Sequence, residues 1–255
     1  LIDSPTNYEA SSGNNGGNYA TLNPITPIGG NCTFSNGNLD VVVGDTSSNG
    51  NRGIRAVSSI GMTSGKWYCE HEITGGATAR SNIGVVDNLD YGWDDGSGNW
   101  WIGRLSGDYI VWSLNGQSYN GSTGTAYGTG WVKGDIIGCA FDADEGKMYI
   151  YKNGVVMNNG SPSHTGLTNG PYYFIFTEVG SNISVNFGQR PFEYAPGATG
   201  GPPATYKALC TQNFDDPLIS KGSSYFDVDL YQGTGNALER SEFSFKPDLL
   251  WIKRR

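Results

Sequence analysis

The sequence predicts an all-β chain folded as an antiparallel β-sandwich, and three observations carry that expectation. Short apolar runs recur at intervals of roughly ten residues, each closed by a turn signal. Asn-Gly pairs stand at Asn115-Gly116, Asn153-Gly154 and Asn169-Gly170, and both residue types tolerate the positive φ that tight hairpin turns demand. No stretch carries helical periodicity.

The elements follow in order. Residues 1–30, "LIDSPTNYEASSGNNGGNYATLNPITPIGG", are rich in Asn, Gly, Ser and Pro and read as a polar arm or linker. Strands are predicted over 33–43, 53–57, 67–73, 82–86, 100–104, 109–114, 136–141, 148–151, 172–178 and 183–187. "FDADEGKMYIYKNG" reads as a hairpin with Asp144, Glu145 and Gly146 at its tip, and Asp142, Asp144 and Glu145 are expected to be solvated there. "APGATGGPPATYKAL" (195–209) reads as a Pro/Gly hinge. Beyond it, "SSYFDVDLYQGTG" and "FKPDLLWIKRR" read as two strands of a short C-terminal β extension. The expected division is an arm over 1–30, a sandwich over 31–196, and a hinge with the start of a further module over 197–255. The chain opens without Met and stops just after an apolar run, so both ends read as cut from something longer.

Composition narrows the function classes. The chain has 255 residues, 39 of them glycine, a net charge of −8 and a pI near 4.7. Phosphate binding needs a basic face, and the one basic cluster is the terminal "KRR", so nucleic acid is not an expected partner. No apolar run reaches the roughly 18 residues of a membrane helix, so no membrane insertion is expected. Cys32, Cys69, Cys139 and Cys210 form no CxxC pair, and His71 and His164 are the two histidines. No metal centre and no cofactor are expected. Cys69 and Cys139 read as small buried hydrophobes.

Four stretches together resemble the SPRY domain, a recognition module built as a concanavalin A-like β-sandwich of jelly-roll type. "GKWYCEHEI" (65–73) resembles its opening strand, with Cys69 where an aromatic is usual, and "NIGVV" (82–86) resembles the next. "WVKGDIIGCAFDADEGKMYIYKNGVV" (131–156) is similar to the most recognisable segment of the family, and "ISVNFGQRPFEY" (183–194) to its closing strand. The resemblance implies binding rather than catalysis, through loops that vary between members. The polar lead, the sandwich and the two C-terminal stretches in succession also resemble virion-associated proteins of marine tailed phages. That likeness implies a virion-surface or otherwise extracellular setting. Its implied partners are a host-surface glycan or protein and other virion subunits. Fibre proteins are commonly homo-oligomeric, so self-association is expected, with the N-terminal arm and the C-terminal strands as contacts.

Candidate sites are weighed against that background. Trp67, Cys69, His71 and Ile73 alternate with Lys66, Tyr68, Glu70 and Glu72, so the first set is expected to face the core and the second to face outward. Glu70 and Glu72 would then lie about 6.5–7 Å apart along the strand. Inverting glycosidases place their carboxyls about 6.5–9.5 Å apart, which makes a glycan hydrolase the alternative from another class. An open strand face, however, does not raise the pKa of one carboxyl as an acid catalyst requires. The loop "DNLDYGWDDGSGNWW" (87–101) interleaves aspartates with aromatics. Tyr91, Trp93, Asp94 and Asp95 are the expected ligand-binding residues, with rings stacking on sugar faces and carboxylates accepting from hydroxyls. As a calcium loop it fails the EF-hand pattern, because Trp100 stands at the required Gly and Ser106 at the closing Glu. "NGQSYNGSTGTAYGTG" (115–130) has the composition of an adaptable binding loop and adds Tyr119 and Tyr127. A third reading makes the sandwich a spacer.

Overall fold

The computed structural model describes residues 17–25, 32–43, 54–87, 89, 107–121, 123–215, 224–241 and 243–253. Its twelve strands are β1 (Cys32–Ser35), β2 (Asp40–Val43), β3 (Ile54–Val57), β4 (Lys66–Val86), β5 (Asp108–Val111), β6 (Ser118–Asn120), β7 (Thr123–Thr125), β8 (Ile136–Asp142), β9 (Lys147–Lys152), β10 (Val155–Val156), β11 (Tyr173–Asn186) and β12 (Lys207–Ala208). Among the described residues, 3-10 turns are formed by Asn158–Gly160 and Thr211–Asn213. The described strands, all of which lie in the first 214 residues, form a β-sandwich.

Two long strands run through both layers. The first half of β4 pairs with β8 and with the second half of β11, while its second half pairs with β5 and with the first half of β11. One sheet therefore reads β1-β2-β11-β4-β8-β9-β10, and the other β3-β11-β4-β5-β6-β7. The corner coincides with register shifts in β11 between Val179 and Ser181 and between Asn182 and Ile183. Bulges of this kind let a strand leave one sheet and enter another. Gly76 (φ 101°) sits at that corner, and a Cβ there would overlap the carbonyl of Gly180. The sequence reading of 67–73 and 82–86 as separate strands is thus corrected to one bent strand, and likewise 172–178 with 183–187.

Alternation along β4 puts Trp67, Cys69, His71 and Ile73 in the core, as the pattern predicts. Trp67, Cys69 and Ile73 share one cluster with Ile137, Cys139 and Phe141 of β8 and with Ile83, Val85, Phe174 and Phe176 of the facing sheet, and His71 is buried against Phe176 and Trp131. Cys69 and Cys139 are directly opposed across β4 and β8. Both are buried free thiols, and burial pushes each thiol up from its ordinary pKa. A chromogenic disulfide reagent is therefore expected to label the half-buried Cys32 first, and Cys69 and Cys139 only after urea unfolding. Labelling of those two at the Cys32 rate in native buffer would contradict the packing.

Several boundaries differ from the sequence reading. The predicted strand 33–43 is a hairpin, because Asn36, Gly37 and Asn38 all take positive φ (52°, 65° and 62°) and turn the chain between β1 and β2. Part of the presumed arm is packed: Ala20 and Leu22 are buried, and the N–H of Leu22 donates to the carbonyl of Asn38 at 2.9 Å. The compact first unit extends through Phe214, and a second comprises Asp215–Arg255. The Pro/Gly stretch 195–209 is therefore no hinge. Residues 192–209 belt the outer face of the first sheet, Phe192 and Tyr206 covering Tyr68 and Ala140, and β12 pairs in parallel with Trp67–Tyr68 in the slot that β11 leaves. In the second unit the expected β extension is absent among the described residues, none of which is in a strand. The predicted strand 100–104 lies outside the described residues.

Candidate recognition surface

Of the 87–101 stretch singled out by sequence, Asp87 follows the end of β4 and Leu89 packs against the cluster that holds Ile110 and Ile175, and the chain is next described at Gly107, ahead of β5. Tyr91, Trp93, Asp94 and Asp95 lie outside the described residues, but the root of the loop is described. The N–H of Asp87 donates to the carbonyl of Gly107 at 3.3 Å. Beside it Tyr109 meets the edge of His164 (ring centroids 5.6 Å apart) and of Tyr172 (6.1 Å), and Tyr172 meets Phe141 (5.2 Å). Edge-to-face packing of this kind fixes ring orientations.

Two titratable groups at this root, His164 and Tyr109, are held in neutral forms. Burial drives the His164 pKa down to about 4, partly countered by the carbonyl of Tyr119, which lies 2.9 Å from Nε2. Its Nδ1 lies 3.2 Å from Ser163 Oγ, so both ring nitrogens are engaged. Burial raises the Tyr109 phenol, the nearby Asp87 charge adds to the rise, and a hydrogen bond with Asn120 opposes it. Neither His164 nor Tyr109 is poised to exchange a proton near neutral pH. The rings form a closely packed cluster beside the point where Asp87 meets Gly107.

Tyr119 and Tyr127 require correction. Residues 115–130 are not a free loop, since β6 and β7 run through them. Tyr119 is 6% exposed and packs with Ile110, Ile175, Val57 and Val86 on the outer side of the second sheet. Tyr127 is 7% exposed within the main core, and its hydroxyl accepts from the N–H of Ile150 at 3.3 Å. Both are packing residues. The sequence signal was present: Tyr119 lies two residues from Gln117, whose Oε1 accepts from its hydroxyl at 2.8 Å, and alternation around it fits a strand as well as a loop.

The glutamates separate. Glu70 is buried beneath the belt, where Oε2 accepts from the N–H of Glu193 (2.9 Å) and Oε1 from the N–H of Tyr194 (2.8 Å) and the hydroxyl of Tyr68 (3.2 Å). Burial raises its pKa while those donors pull it down. Glu72, half-buried on the same strand face, lies opposite Ser184 and Ile136. The two carboxyls therefore share no open groove. Asp142 is also reassigned: it is not a solvated tip residue but is buried, paired with Lys66 Nζ at 2.5 Å, and its Oδ1 accepts from the N–H of Glu145 at 3.0 Å. Among the described residues no group of three His, Cys, Asp or Glu is placed to hold a metal ion.

With this geometry established, residues 66–190 match the family model of the SPRY domain. Over that stretch the chain is similar to the SPRY domain, and SPRY domains are generally non-catalytic interaction modules. A curated relative, the E3 ubiquitin-protein ligase RKP of Arabidopsis thaliana, is 37% identical over 73 residues, which is 27% of this chain and 6% of that protein. The chain thus spans a small fraction of that relative. Among solved structures, the SPRY domain of human HERC1 is 16% identical with a TM-score of 0.47, covering 61% of this chain and 91% of that one. Stonustoxin is 20% identical with a TM-score of 0.48, covering 66% and 27% respectively.

Proposed function

We propose that this chain is a non-enzymatic recognition module of a phage virion-surface or fibre protein, presenting its 87–101 loop to a host-surface glycan or protein. The observation that carries the binding reading is the state of Glu70. The carboxylate a hydrolase would need is consumed by two backbone N–H groups and a tyrosine hydroxyl beneath the belt. The aromatic cluster at Asp87 and Tyr109 supports loop presentation, because a closely packed root lowers the ordering cost of binding. The virion setting is supported by the sequence resemblance to tailed-phage virion proteins.

A bacterial-surface glycan array and intact cells, probed with the purified chain, test this reading. Saturable binding that Tyr91→Ala with Trp93→Ala abolishes, without release of reducing sugar, is the expected result. Reducing-sugar release by the unaltered chain that Glu72→Gln eliminates would establish the hydrolase instead. Silence on array and cells alike would leave a spacer and defeat the proposal.

A further inference from the structure

The second unit, Asp215–Arg255, exposes far more apolar side chain than a soluble segment of its size normally tolerates. Phe226, Val228 and Leu230 are 73%, 71% and 70% exposed, and Trp251 is 89% exposed. Tyr225, Tyr231, Leu238, Leu249, Leu250 and Ile252 are exposed as well. None of the described residues of this unit is in a strand, although Phe226, Val228 and Leu230 alternate with Asp227 and Asp229 as in a strand.

We propose that this unit is a self-association surface whose occupant is the same unit of a second copy of the chain. The inference deepens the self-association expected of a fibre-type protein and rests on that part of the reading, not on the 87–101 loop. Area is the first argument. Ten large apolar side chains at roughly 100 Å² each remove on the order of 1,000 Å² from water, against about 800 Å² per partner in a standard stable interface.

Charge is the second argument, and it selects a copy over a foreign partner. The first unit holds ten basic and seventeen acidic residues, a net of −7, and two such surfaces repel. The second unit holds six basic and seven acidic residues, a net of −1, so copies meet there with little Coulomb cost. Its charges are also sorted. "YFDVDLY" (225–231) is apolar and acidic, and "LLWIKRR" (249–255) is apolar and basic. A two-fold pairing places the acidic segment of each copy against the basic segment of the other, as an isologous interface requires. Within one copy, Asp229 is paired with Arg240 at 2.5 Å, while the apolar side chains of both segments stay exposed.

Sedimentation velocity of the full chain from about 1 to about 100 µM tests the proposal. A defined oligomer is expected. Phe226→Asp with Leu230→Asp should weaken it at least about a hundredfold, and Asp227→Lys or Lys253→Glu alone about tenfold. Asp227→Lys combined with Lys253→Glu should restore most of the affinity. Near-UV circular dichroism should stay unchanged in all of them. A monomer across the whole range, mass growing without a plateau, an oligomer indifferent to Phe226→Asp with Leu230→Asp, or no rescue by the double charge reversal would each overturn it. Trp93→Ala reports separately on the loop, because it should abolish partner binding and leave the oligomer intact.

Discussion

Lowering the pH from 7 to about 4 is expected to remove on the order of 6 kcal/mol of stability, with His71 and His164 sharing the loss about equally. His71 lies between the sheets with its ring edge-on to Phe176 (5.6 Å) and Trp131 (6.3 Å). Burial drives its pKa down to about 3, and the carbonyls of Ser81 and Ile137 only partly oppose this. His164 falls to about 4 for the same leading reason. The sign follows from proton counting. Below about pH 6.5 the unfolded chain takes up two protons that the folded chain refuses, so stability falls with pH until the folded-state values are reached. Glu70, raised by burial, works in the opposite direction. A loss of this size is comparable to the whole stability of many domains, about 5–15 kcal/mol. Urea midpoints measured between pH 7 and 4.5, above most carboxylate titration, read the slope. His71→Leu should roughly halve it, whatever it does to absolute stability. An unchanged slope in that variant would show that the histidine is not buried as described.

The fold was legible in the sequence because sandwich strands write a period of two. Trp67, Cys69, His71 and Ile73 fell on the core side of β4 as the alternation required. What alternation does not encode is which polar face later receives a cover. Tyr68 and Glu70 read as outward-facing, and relative to the sheet they are. The segment that buries them lies more than a hundred residues away, in a Pro/Gly stretch whose composition also suits a linker. The same limit hid the second apolar layer at Val57, Ile110, Tyr119 and Ile175. There the signal existed: "YYFIF" and "YIVW" are unbroken apolar runs, the mark of strands buried on both faces. The β1–β2 hairpin was missed although "SNGN" contains the Asn-Gly signal used elsewhere. Of the candidate site, Asp87 fell within the quoted loop. Tyr109 and Tyr172 were absorbed into strand patterns, since a ring that supports a loop and a ring that fills a core look alike in sequence.

Replacing Glu70 with alanine is expected to cost about 3–5 kcal/mol and to release the belt before the rest of the sandwich. The carboxylate ties β4 to the backbone at Glu193 and Tyr194, and truncation leaves two backbone N–H groups and the Tyr68 hydroxyl without this acceptor. Hydrogen bonds to a charged acceptor are worth about 1.5–3 kcal/mol each, and stranded buried donors add their own desolvation cost. Part of the loss is offset, because burying the charge is itself unfavourable, as the raised pKa records. Glu70→Gln keeps an acceptor oxygen for one N–H but turns an amide N–H₂ toward the other, so it should recover about half the loss. The consequence is spatially specific. Amide exchange should accelerate first across 188–210, where β12 and the Phe192 and Tyr206 contacts depend on the anchor, while β5, β6 and β7 in the other sheet keep their protection. A catalytic carboxylate would behave differently, since its removal commonly leaves stability unchanged or improved. Wild-type stability and wild-type exchange in Glu70→Ala would therefore remove the structural role and reopen the enzymatic one.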